Sequence, residues 1–183
     1  MKRAKRDWQT KVMVLYGDAG CGKTKLAGKL ADDYAKELGG SVFTLTPAMR
    51  HSHGVWWDGY NGDEVVVIEE FEGWISRVDF KTLVNCCPAT LQVKGRSQSF
   101  RARMIFITSN NKPSDWWKLD TEVQRQAWPQ IARRLSPPIG TVHRCHRNPD
   151  IPASEDIFTP GFCVMGENED CYELPPPIRN VYN

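Results

Sequence analysis

The chain has 183 residues, 40% hydrophobic and 25% charged, with a formal net charge of +2 at pH 7. That length supports one full core, and no apolar stretch reaches membrane-spanning length or follows the basic start as a secretory signal would. Net charge alone announces no nucleic-acid partner, but Lys2, Arg3, Lys5, Arg6 and Lys11 crowd the start and Glu167, Glu169, Asp170 and Glu173 the end. In chain order, residues 12–16 (VMVLY) form an apolar run that predicts a buried strand. A glycine-rich turn follows, and residues 25–38 then predict an amphipathic helix closed by Gly39-Gly40. Residues 41–45 predict a second strand, ended by Thr46-Pro47. The segment to Asp63 reads as a loop around Trp56-Trp57-Asp58-Gly59-Tyr60, whose aromatic rings serve better as anchors to the core than as stacking surfaces. Val65-Val66-Val67-Ile68 predicts a strand buried on both faces, residues 79–86 a helix, and residues 91–101 a hairpin with the basic tip Lys94-Gly95-Arg96. Residues 104–108 predict a further buried strand and residues 121–134 a helix interrupted by Pro129. Beyond Pro137 regular structure is expected to weaken, and Pro175-Pro176-Pro177 suggests an extended end. Strands alternating with helices imply an α/β fold with a mostly parallel sheet flanked by helices.

The chemistry starts at Gly17-Asp18-Ala19-Gly20-Cys21-Gly22-Lys23-Thr24, which fits G-x-x-x-x-G-K-[ST]. Glycines let successive N–H groups turn toward an anion, and the helix that follows directs its partial positive end at the same place. Lys23 is placed to meet the β- and γ-phosphates of ATP, and the Thr24 hydroxyl to ligate Mg²⁺. A chance match in a chain of this composition is on the order of one in a hundred, before the strand and helix around it are counted. Glu69 and Glu70 follow a buried strand, where carboxylates emerge at the C-terminal sheet edge. Glu69 is assigned to the metal and Glu70 to polarising the attacking water. Asn110, after the strand ending Thr108-Ser109, can donate to the γ-phosphate or hold that water, although an asparagine there would also serve a turn. Arg133 and Arg134 close the late helix, where cations suit the dipole; Arg134 is the candidate to neutralise charge on the γ-phosphate across a subunit boundary. Lys94, Gly95 and Arg96 are the candidate nucleic-acid contact through phosphates.

Six cysteines show no C-x-x-C spacing and read as reduced intracellular thiols. A zinc set of His143, Cys145 and His146 with Cys163 or Cys171 is irregularly spaced and is the weaker reading. His51-Ser52-His53 lacks a third ligand and reads as a solvated loop.

In order, Arg6-Asp7-Trp8, the phosphate loop, Trp56-Trp57-Asp58-Gly59-Tyr60, Val66-Val67-Ile68-Glu69-Glu70-Phe71, Gly73-Trp74, Val93-Lys94-Gly95, Phe100, Ala102-Arg103, Ile107-Thr108-Ser109-Asn110 and Arg133-Arg134 carry a further signal. Together they resemble the helicase part of the replication-initiator (Rep) proteins of circular single-stranded DNA viruses, those of circoviruses in particular. The resemblance covers about residues 6–135. It implies a superfamily 3 helicase with a P-loop NTPase, AAA+-like core, a hexameric ring with shared ATP sites, and 3′ to 5′ translocation on single-stranded DNA during rolling-circle replication. It further implies Lys23 and Thr24 in Walker A, Glu69 and Glu70 in Walker B, Lys94 on a DNA-binding hairpin, Asn110 as the motif C sensor and Arg134, before Leu135, as the arginine finger. The host cell nucleus is the implied location.

Circovirus Rep proteins usually carry two aspartates where this chain has Glu69-Glu70. The histidine pair and tyrosine of a nicking endonuclease domain are absent, and that domain is expected upstream. The expected division is a basic linker end over 1–11, the helicase domain over 12–145 and a partly irregular extension over 146–183. Two other functions compete: a nucleic-acid-binding module of the same fold without turnover, and a small-molecule P-loop kinase, for which neither acceptor pocket nor arginine-bearing lid is evident.

Overall fold

The computed structural model describes residues 6–171. Lys2, Arg3, Lys5, Glu173 and the Pro175-Pro176-Pro177 run lie outside the described residues. The strands are β1 (Lys11–Tyr16), β2 (Val42–Leu45), the two-residue β3 (Arg50–His51) and β4 (Gly54–Val55), and β5 (Val65–Ile68). They continue with β6 (Thr90–Val93), β7 (Arg96–Ser99), β8 (Met104–Ser109), β9 (Gly140–Arg147) and β10 (Cys163–Asn168). The helices are α1 (Lys23–Leu38), α2 (Arg77–Leu83), α3 (Glu122–Gln126) and α4 (Trp128–Leu135).

Six strands form one sheet in the order β10-β9-β1-β8-β5-β2, parallel except for the β9–β10 pair. The apolar runs split between its faces with the period of two that a pleated strand imposes. Val12, Val14, Val66, Ile68, Ile105 and Ile107 face one core, with the rings of Phe71, Phe80 and Trp116 and with Ile131 and Leu135 of α4. Leu15, Val65, Val67, Met104 and Phe106 face the other, against Ala27, Ala31 and Ala35. Those alanines recur every four residues, so α1 presents one smooth stripe and lies close on the sheet. The expected α/β architecture is the one observed.

Local signals shift some boundaries. Ser76 caps α2, its hydroxyl accepting from Asp79 N at 3.1 Å, so that helix starts two residues before the expected Asp79. The helix expected over 121–134 is two, broken at Ala127 ahead of Pro129, with Thr121 and Gln124 forming a capping box at its start. The expectation of weakening order after Pro137 is corrected: β9 is eight residues long and pairs in parallel with β1 from Gly140 to Arg144. β9 runs through position 145 and β10 adds the sheet's edge, so the sheet continues past the boundary expected there.

The β6–β7 hairpin stands apart as its own two-stranded sheet. Leu91, Val93 and Phe100 are buried beneath it, and Trp57 N donates to Gln92 O at 2.9 Å. Trp57 and Tyr60 are buried against Phe43 and Phe100, which makes them the anchors expected, whereas Trp56 is exposed.

Candidate functional site

β1 ends at Tyr16, and the chain turns at once through Gly17 to Gly22 into α1. Two of those glycines are required by geometry. A Cβ on Gly17 would stand 2.1 Å from the carbonyl oxygen of Cys145 in neighbouring β9, so only a bare Cα lets the loop leave the sheet there. Gly22 has φ of +90° at the helix N-cap, with no side chain capping the first turn. The N-terminal N–H groups of α1 therefore face the loop without a side-chain acceptor, the arrangement that favours an anion.

Lys23, the first residue of α1, is 7% exposed. Its ammonium donates to Gly17 O at 2.8 Å, to Asp18 O at 2.7 Å and to Asn110 Oδ1 at 3.2 Å. No carboxylate pairs with it among the described residues, where the ion pairs are Lys29–Asp33 and Lys36–Asp33. A buried ammonium held only by neutral acceptors lacks the counter-charge that a phosphate would supply.

The end of β8 ties the surrounding parts together. Ser109 O accepts from Gly17 N at 3.2 Å, which fixes the loop's first turn. Thr108 accepts from Glu70 N through its hydroxyl at 3.1 Å and from Phe71 N through its carbonyl at 2.8 Å. Ser109 Oγ accepts from Asn111 N at 3.1 Å and from Trp116 Nε1 at 2.9 Å. Glu70 has φ of +48°, a left-handed conformation uncommon for a side-chain-bearing residue and frequent at functional sites.

These parts enclose a cavity of about 270 Å³ lined by Ala19, Gly20, Gly22, Lys23, Thr24, Lys25, Glu70, Thr108, Ser109, Asn110 and Ile157. That is near the lower end of ligand pockets, roughly 300–1,000 Å³, and suits a phosphate chain better than a whole nucleotide. The structure thus brings Lys23, Thr24, Glu70 and Asn110 into one cavity. Glu69 is not among its lining residues. Burial, reinforced by the neighbouring Glu70 carboxylate, holds Glu69 above the usual carboxylate range, with Lys25 pulling the other way. Thr24 and the two glutamates are hard oxygen ligands of the kind Mg²⁺ takes.

Arg134 lies elsewhere. Its guanidinium donates to Gln130 O at 2.7 Å on α4, and burial, then Arg133, lowers its pKa from the ordinary value. Lys94, Gly95 and Arg96 are exposed at the hairpin, where Lys94 N donates to Asp58 Oδ1 at 2.7 Å. Sequence reasoning missed four contributors, the first being Lys25, one residue past the phosphate-loop motif. Thr108 and Ser109 could have been flagged as hydroxyls at the end of a buried strand; Ile157 carries no local signal.

Beneath the loop, Cys21, Cys145 and Cys163 converge. The Cys21 thiol donates to Cys145 O at 3.7 Å, and Lys23 Nζ stands 3.8 Å from Cys21 Sγ. Hydrogen bonding between Cys163 and Cys145 raises the pKa of the first and lowers that of the second. All six cysteines are free, and among the described residues no group of three or more His, Cys, Asp or Glu is placed to hold a metal ion. The zinc alternative at His143, Cys145 and His146 therefore has no support in the geometry. His51, Ser52 and His53 are all exposed. Among the described residues no helix is long and apolar enough to cross a membrane.

A family model described as RNA helicase matches residues 13–111, more than half of the chain. The replication-associated protein of Porcine circovirus 2 is 41% identical over 116 residues, covering 63% of this chain and 33% of its own. That of Porcine circovirus 1 is 40% identical over 119 residues, 63% of this chain and 34% of its own. That of Goose circovirus is 38% identical over 118 residues, 64% of this chain and 36% of its own. The chain spans about a third of the length of the curated relatives it matches.

Proposed function

The chain belongs to the RNA helicase family and is a helicase domain like that of circovirus replication-associated proteins; from that premise we propose that it hydrolyses ATP with Mg²⁺ to move along single-stranded DNA. The observation that carries the reading is the buried Lys23 ammonium, held by loop carbonyls and Asn110 Oδ1 and without a carboxylate partner among the described residues. A bound triphosphate would draw that cation outward and release Asn110 to hold the γ-phosphate or the water in line with it. Glu70, on the cavity wall, is the group to polarise that water. Glu69 and Thr24 would hold the Mg²⁺ shell, and the metal would supply charge neutralisation at the β- and γ-oxygens. Lys94 and Arg96 on the exposed hairpin would contact phosphates rather than base edges, which makes DNA binding sequence-tolerant and salt-sensitive.

The wider reading is a hexameric ring with ATP between subunits, 3′ to 5′ movement in rolling-circle replication, an endonuclease domain in the full protein, and work in a host nucleus. The test is phosphate release from ATP with and without single-stranded DNA, alongside an RNA strand of the same sequence. Strong stimulation by DNA is expected, with loss of turnover in Lys23→Ala. Glu70→Gln should still bind ATP while hydrolysing none. Stimulation by RNA alone would make RNA, not DNA, the strand along which the chain moves. Absent turnover in the unaltered protein would leave a binding module, and turnover only with a small acceptor would make it a kinase.

A further inference from the structure

The sheet order gives the nucleotide a direction. The phosphate loop after β1 has β8 and β5 on one side, bearing Asn110 and Glu70, and β9 with its connection to β10 on the other. A triphosphate whose γ end meets Asn110 and Glu70 sends its nucleoside toward the β9–β10 side. The cavity's lining changes there: Ile157 is its one residue from that connection.

Beside it stands Phe158, 69% exposed, with the Lys25 ammonium 4.2 Å from its ring centroid. Lys25 follows Lys23 and Thr24 and lines the same cavity, so the ring stands at the rim of the phosphate site. Ile157, 38% exposed, stands next to it in the chain, so the cavity's rim on this side presents an accessible apolar edge. The turn that presents it is built. Phe158 N donates to Asp156 Oδ1 at 2.9 Å, Thr159 N to Asp156 O at 3.0 Å, and the Thr159 hydroxyl to Glu155 Oε2 at 3.0 Å. Its foot is fixed to the loop itself, since a Cβ on Gly22 would meet the Phe162 ring at 3.1 Å and Cys163 Cβ at 3.2 Å. Asn148 N donates to Phe162 O at 2.7 Å and closes the connection.

We propose that Phe158 is the platform on which the base of the bound nucleoside triphosphate stacks, with Ile157 covering the sugar-side edge. The proposal rests on the reading of the cavity as a triphosphate site. Lys25 would then leave the ring face for the phosphates and exchange one partner for another at the same rim. Apolar side chains at 157 and 158 offer no hydrogen-bond code, so the platform holds any base through its π-face.

The test compares two probes on the full chain with Mg²⁺ present: ATP, and inorganic tripolyphosphate, which has the same charge pattern and no base. Phe158→Ala should weaken ATP binding roughly tenfold, the scale of one base–aromatic stack, and leave tripolyphosphate affinity unchanged. Phe158→Trp should restore ATP affinity, which a merely structural role for the ring would not predict. Lys23→Ala should lose both probes. Equal ATP affinity in Phe158→Ala and the unaltered protein would overturn the platform while leaving the triphosphate site standing; so would an equal loss for both probes. An unaltered protein that binds neither probe would overturn the site and the platform together.

Discussion

Glu69 and Glu70 are adjacent in sequence and opposite in circumstance. Glu70 is exposed on the cavity wall in a left-handed conformation, whereas Glu69 is half-buried and its neutral form is favoured by burial and by Glu70. A carboxyl whose folded pKa is raised contributes most below its unfolded pKa, about 4.3. That contribution is lost as pH climbs through the raised folded value, because the folded state then holds a poorly solvated charge. Glu69→Gln removes the charge, so the variant should melt higher than the unaltered protein at pH 7 and equally at pH 4. Because Glu69 is partly exposed, the gain is below about 1 kcal/mol, and so smaller than roughly 2–4 °C in a chain of this size. Adding Mg²⁺ with a nucleotide should reverse the order at pH 7, since a carboxylate facing a cation gains from being charged. Thermal melts at the two pH values, with and without Mg²⁺ and nucleotide, decide it. A variant that melts lower at pH 7 without ligand would mean that Glu69 is held by contacts stronger than its burial penalty.

Elements differ in how plainly their residues announce them. The central strands β5 and β8 were legible because both faces are buried, and β1 because residues 12–15 are continuously apolar. The phosphate loop was legible because its glycines are needed by local geometry. β9 was not: it carries His143, Arg144, His146 and Arg147 near the sheet's edge, and charged side chains there hide the buried Val142 and Cys145. The turn at Ile157 and Phe158 was invisible for a different reason: its place beside the phosphate loop follows from β9 lying beside β1, a pairing far apart in sequence. The hairpin falls between. It was expected over 91–101, but β7 begins at Arg96, so the tip is Lys94-Gly95 and Arg96 belongs to a strand. Lys94 holds Asp58 through its backbone N–H, and the hairpin is seated by buried Leu91, Val93 and Phe100, so Lys94→Ala leaves the fold intact. One lost phosphate contact should weaken single-stranded DNA binding alike for every sequence and shallow the log–log salt slope by about 1. Titrations at several salt concentrations measure both, and an unchanged slope would take the hairpin tip out of the DNA path.

At the scale of the whole molecule, the cavity holds a cradle, two hydroxyl-bearing strand residues, an acid and an amide, yet its lining includes no arginine. Arg134 sits on α4, bonded to Gln130 of its own helix and away from that lining. In the proposed head-to-tail ring, where one patch meets a different patch on the next copy, Arg134 would serve the neighbour's site and not its own. Arg134→Ala and Lys23→Ala should each abolish turnover, for unlike reasons: the first leaves a site without its neutralising cation, the second a site that cannot grip phosphate. Mixing them should recover activity, because a site built from an Arg134→Ala subunit's intact cradle and a Lys23→Ala subunit's intact arginine is complete. With random assembly at equal amounts, about one interface in four is of that kind, so roughly a quarter of normal turnover should return. Recovery should also rise steeply with protein concentration, as a shared site requires association before chemistry. Turnover that stays absent at every mixing ratio, under conditions where the unaltered protein is active, would place the missing cation within the same chain.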